Sequence, residues 1–252
     1  MSTPAQRPPE SLPPLERIGK ATAELLLLGM SVLVGLAALF VLMLLGVLPD
    51  PAGAPWSAIV AGPVMMGAAG LSYLSLERML GRSGDLARPL EMIEGRTRAG
   101  VLNGVLIAVG AVVVAMIGSM LLAVAQELAF SIEVEEQQPI VELVERGLPF
   151  ELALLAISAV VLAPVTEELL FRHMLFRRLR QRAGAVAAWT LPALAFALAH
   201  WNPVGLLVYM WLGTVFAAAY ALSGRIWVAM LAHAGHNAIA LTLLLYAPEA
   251  LP

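Results

Sequence analysis

Seven stretches of the chain stay apolar for about as long as a bilayer is thick. They run roughly 22–48, 56–76, 99–126, 151–174, 184–201, 203–222 and 226–247. A hydrocarbon core of about 30 Å takes about 20 helical residues to cross. Lipid offers the backbone no hydrogen-bond partners, so segments of this kind fold as helices. Of the 252 residues, 60% are hydrophobic and only 13% charged, against about a quarter charged in soluble domains. The expected architecture is all-α: a polytopic transmembrane helical bundle of about seven spans, without internal repeats. The absence of cysteine excludes disulfides, a thiolate nucleophile and a cysteine metal site.

The basic residues orient the bundle. With a cytoplasmic N-terminus, fourteen of the fifteen lie inside: Arg7, Arg17, Lys20, Arg78, Arg82, Arg88, Arg96, Arg98, Arg172, Arg177, Arg178, Arg180, Arg182 and Arg225. Only Arg146 falls outside, in a connection rich in glutamate (Glu127, Glu133, Glu135, Glu136, Glu142, Glu145). Residues 1–20 read as a disordered cytoplasmic tail. Residues 21–149 hold three spans and the acidic connection, 150–247 hold the remaining spans, and 248–252 form a C-terminal tail. Pro139 and Gly147 bracket a candidate interfacial helix, with Ile140, Val141 and Val144 toward the outer surface. A second is expected around Leu86, Leu90 and Ile93. Gly213, Ala217 and Ala221, four residues apart, form a face on which helices can approach closely.

Against this apolar background, the pair Glu167-Glu168 stands out. It lies mid-span, and a carboxylate in hydrocarbon costs at least a few kcal/mol. Arg172 follows Glu168 at i+4, where the two can pair on one helix face. Glu167 points about 100° away and has no local partner. Glu167 is therefore the candidate base, with Glu168 and Arg172 as its structural support. His200 follows Phe196 at i+4. His233 and Asn237 share a face of the last span, and His236 sits on a neighbouring face as a bystander. A carboxylate, two imidazoles and an amide on three membrane helices are the parts for hydrolysis: a base for water and donors for an oxyanion.

These motifs resemble those of the CPBP family of intramembrane proteases, named for CAAX proteases and bacteriocin-processing proteins. The family carries Glu-Glu-x-x-x-Arg, then Phe-x-x-x-His, then His-x-x-x-Asn. Here they are Glu167-Glu168 to Arg172, Phe196 to His200, and His233 to Asn237, in that order. The resemblance covers roughly 150–247. It implies an endopeptidase of the bacterial inner membrane acting on membrane proteins or peptides. It implies that Glu167 and His200 hold and activate a water while His233 and Asn237 polarise the scissile carbonyl. Members have been described both as metalloproteases and as glutamate-dependent proteases without a catalytic metal. Glu167, His200 and His233 are the candidate ligands for a zinc ion, and the metal-free water mechanism is preferred.

One depth needs reconciling. Counted from the inner end of each span, Glu167 lies about 13 Å deep and His200 about 24 Å. The WNP turn after His200 and Pro192 within its span predict a fifth helix that turns back before the outer face. Two other classes remain open: a non-catalytic protein of the same fold acting in immunity or as a scaffold, and a transporter with a buried carboxylate relay. The intact motif set weighs against the first. The lack of repeats and paired broken helices weighs against the second. No nucleic-acid partner is expected.

Overall fold

The computed structural model describes residues 9–51, 53–82, 99–131 and 137–246. Regular structure among them is entirely helical. In chain order the helices are α1 (Pro14–Leu44), α2 (Trp56–Met79), α3 (Val101–Phe130), α4 (Gln138–Arg146), α5 (Pro149–Arg182), α6 (Ala185–Ala199), α7 (Leu206–Ser223) and α8 (Ile226–Tyr246). All but α4 and α6 are long and apolar enough to cross a membrane. The chain is a multi-pass membrane protein. Prolines open α1, α4 and α5, where the missing N–H costs nothing. Gly147 and Gly224 close α4 and α7 in the left-handed region, at φ 62° and 64°.

The boundaries differ from expectation at the N-terminus. Pro9–Ser11 forms a short 3₁₀ turn and α1 begins at Pro14, so residues 14–20 belong to the helix rather than to a tail. The interfacial segment expected around Leu86, Leu90 and Ile93 and the tail 248–252 lie outside the described residues.

Contacts at both ends set α7 antiparallel to α3, and the close of α5 lies beside the first part of α1. The Ala99 N–H bonds to the Ser223 carbonyl at 3.0 Å, placing the start of α3 beside the end of α7. Arg182, closing α5, reaches Glu24 near the start of α1 at 2.9 Å. At the other end, Gln126 Nε2 donates to the Val204 carbonyl at 2.8 Å. The short helix fits the expectation for the fifth span. At 15 residues α6 is about 22 Å long, too short for a 30 Å core. It ends at Ala199, and the chain turns back through 200–205 into α7. The two helices pack closely because residue 213 is glycine: a Cβ there would sit 3.1 Å from Ala193 Cα.

At the end of the bundle where α5 closes, a buried ion-pair network joins α1, α2 and α5. Glu24 and Glu77 are fully buried. Glu24 pairs with Arg82 and Arg182 and accepts the Tyr73 hydroxyl at 3.1 Å. Glu77 pairs with Arg82 at 3.0 Å and with Arg178. Arg178 also donates to the Arg82 carbonyl at 2.7 Å. Buried carboxylates hold their charge only when paired in this way.

Candidate active site

Three helices bring the polar residues together. On α5, Glu168 and Arg172 are fully buried, with Nη1 and Oε1 3.1 Å apart. Arg172 Nη2 donates to the Gly213 carbonyl at 3.0 Å, and the guanidinium lies 4.4 Å from the Phe196 ring centre. Arg172 thus ties α5 to α6 and α7. His233, on α8, places Nδ1 2.9 Å from Glu168 Oε1 and stacks on Phe216 with ring centres 4.5 Å apart. An ionised carboxylate only accepts, so Nδ1 carries the proton in this bond. Nε2 is the ring nitrogen that Glu168 does not engage.

His200 is set by the same logic. Its Nδ1 lies 2.7 Å from the Phe196 carbonyl, which only accepts, so Nδ1 donates and Nε2 is free. Glu167 makes no such bond. Its Oε2 is buried and has no hydrogen-bond partner among the described residues. Glu167, His200, His233 and Asn237 all line one cavity of 190 Å³. Its other walls include Gly62 and Pro63 of α2, Ser158 and Ala159 of α5, and Gln137 and Ile140 at the start of α4.

The local fold of α5 explains where Asn237 points. Residues Ser158–Leu162 widen into a π turn, and the Ala163 N–H bonds back to the Ser158 carbonyl. The next residue is Pro164, which has no N–H to give. The Ala159 carbonyl therefore looks sideways, and Asn237 Nδ2 donates to it at 2.8 Å. A second π stretch, Glu168–Phe176, begins at the glutamate pair itself. Single π turns inside long helices are frequent at functional sites.

Comparison with known proteins places this region. Residues 149–239 match the family model described as "Type II CAAX prenyl endopeptidase Rce1-like". This segment is similar to that family. The resemblance carried by the three motifs is thereby borne out. Over 101 residues the chain is 30% identical to "Putative membrane peptidase YdiL" of Bacillus subtilis, covering 40% of this chain. Over 97 residues, 36% of this chain, it is 31% identical to "Membrane-embedded CAAX protease MroQ" of Staphylococcus aureus. The match spans 39% of the length of each relative. No solved structure matches the chain.

The matched segment contains every residue singled out from the motifs. His236 lies outside the cavity lining, edge-on to Phe216 at 6.1 Å. The donor chemistry of a carboxylate and two imidazoles suits zinc. Their spacing does not: among the described residues no three His, Asp or Glu side chains are gathered closely enough to hold an ion. No step is therefore routed through a metal.

Two features of the site were not read from the sequence. The first is the role of α4, expected on the outer surface. Leu143 is fully buried and Ile140 walls the cavity, so α4 covers the site instead. The second is Tyr209, which stacks on His200. The i, i+3 spacing of Ile140 and Leu143 was a legible signal for the first; nothing local marked the second.

Proposed function

We propose that the chain is an intramembrane endopeptidase that hydrolyses peptide bonds in membrane-associated protein substrates. The observation that carries this reading is Glu167: a buried carboxylate oxygen without a partner among the described residues, in a cavity shared with His200, His233 and Asn237. Leaving such a group unsatisfied costs stability, and a water that the carboxylate deprotonates would satisfy it.

In this mechanism Glu167 and His200 Nε2 accept the two hydrogens of one water. Glu167 takes a proton as the oxygen attacks the peptide carbonyl. Charge then develops on the carbonyl oxygen. Asn237 stabilises it through the N–H not given to Ala159, and His233 does so in its doubly protonated form, with Glu168 as counter-ion. Glu167 passes its proton to the departing amine, closing the cycle. Glu168 and Arg172 hold the parts in register and do not touch the substrate. A cytoplasmic N-terminus and residence in the bacterial inner membrane belong to the same reading. They are supported by the basic residues gathered at one end and by the bacterial relatives.

The test is reconstitution of the purified chain in liposomes with a panel of single-span reporters, products being read by mass spectrometry. Cleavage by the wild type and not by Glu167→Gln supports the reading. Equal cleavage by both contradicts it. A parallel arm adds exhaustive chelation and elemental analysis: activity lost to chelation and restored by zinc would recast Glu167, His200 and His233 as ligands.

A further inference from the structure

We infer that Tyr209 is a positioning residue for His200, and that Gln137 ties its setting to α4. Three contacts hold the His200 ring, one of them a tilted contact with the Phe196 ring at 4.6 Å between centres. Nδ1 donates to the Phe196 carbonyl at 2.7 Å, and the ring lies flat on Tyr209, with centres 4.1 Å apart and planes 22° apart. The hydrogen bond selects the nitrogen left free, but a ring on one hydrogen bond still rocks about it. The stack fixes the plane, and with it the direction in which Nε2 points. Tyr209 does not line the cavity, so its influence passes through His200.

The chain between the two rings is shaped for this contact. Trp201 sits in the left-handed region at φ 52°, which bulky side chains rarely adopt. Asn202 Oδ1 accepts the Gly205 N–H at 2.9 Å, closing the turn. Residue 205 has to be small, because a Cβ there would lie 2.8 Å from Tyr209 Cε2. On its far side the Tyr209 hydroxyl accepts Gln137 Nε2 at 3.2 Å, and Gln137 is itself part of the cavity wall. The helix covering the cavity is thus bonded to the ring that orients His200.

The consequence for catalysis rests on the peptidase reading; the consequence for the imidazole does not. The experiment uses full-length protein in lipid nanodiscs with ¹⁵N-labelled histidine. The four histidines are assigned by His→Gln variants. Wild type and Tyr209→Phe should each show one sharp His200 Nδ1–H tautomer. Tyr209→Ala and Gly205→Ala, which pushes the ring aside, should broaden or split the His200 signals while those of His173 and His236 stay put. With a cleavable reporter, both should lower kcat about 10- to 100-fold at little changed KM, since loss of orientation of this kind costs on that order. Tyr209→Phe keeps the stack but loses the bond to Gln137, so it and Gln137→Ala should fall together between these variants and wild type. Unchanged His200 signals in folded Tyr209→Ala or Gly205→Ala would overturn the inference, whatever the activity. Changed signals in a protein whose wild type cleaves nothing would keep the inference and remove the peptidase reading.

Discussion

The His233 imidazole bonds to Glu168 and not to its neighbour Glu167, at 2.9 Å from Nδ1 to Oε1. Two adjacent carboxylates thereby acquire different duties. Glu168 carries both Arg172 and His233 on one oxygen, while the Glu167 carboxylate faces the cavity. Substitutions at the two positions should therefore fail in different ways.

Glu168→Gln leaves the Arg172 guanidinium buried against aromatic rings without its anion. Removing one partner of a buried pair typically costs about 3–5 kcal/mol. The variant should give little folded protein in detergent by fluorescence-detected size exclusion, and what folds should melt well below wild type. A Glu168→Gln protein as stable as wild type would show that the pair is not a structural tie.

Arg172 meets three partners with different geometry: Glu168, the Gly213 carbonyl and the face of Phe196. A lysine offers a point charge and no plane to stack. Arg172→Lys should consequently behave like Arg172→Ala, with lowered folded yield and activity. Rescue by lysine would mean that charge alone matters.

The seven apolar stretches, the short fifth helix and the positions of Glu167, Glu168, Arg172, His200, His233 and Asn237 were legible, because hydrophobic run length and helical spacing are local properties. What was not legible depended on distant partners. Arg178 counted only as one of many basic residues at the cytoplasmic boundary, yet it is buried against Glu77 from a different helix. Tyr209 reads as an ordinary aromatic until the 201–205 turn lays it on His200. The π turn at Ser158–Leu162 has a visible cause in Pro164, but its use, the bond to Asn237, needs α8 in place.

That contrast can be measured within one segment. Arg178 is buried, whereas Arg180 pairs with Glu10 at the surface. Both count equally as positive charges at the boundary. Arg178→Ala should cost up to about 3–5 kcal/mol, because the buried Glu77 loses one of its two cations and keeps Arg82. Arg180→Ala should stay within about 0.5 kcal/mol of wild type. Equal effects in thermal unfolding would refute the network as a stabilising element.

Asn237→Ala removes the donor to the Ala159 carbonyl and the proposed oxyanion contact together. The expected losses are about 1–3 kcal/mol in stability and about 100- to 1,000-fold in kcat. Pro164→Ala separates the two. By supplying an N–H it lets α5 compete for the Ala159 carbonyl, so Asn237 should lose its anchor and kcat should fall without loss of stability. An unchanged kcat in Pro164→Ala would detach the π turn from catalysis.

Everything in the proposed chemistry depends on Glu167 acting as the base. The most direct test of that role is the rate at which Glu167→Gln, purified and reconstituted beside the wild type, cleaves a membrane reporter that the wild type cleaves. Glutamine keeps the size of the side chain but accepts no proton. The rate should fall by about 100- to 10,000-fold, in a protein that folds and melts like wild type. Cleavage at the wild-type rate would contradict that role.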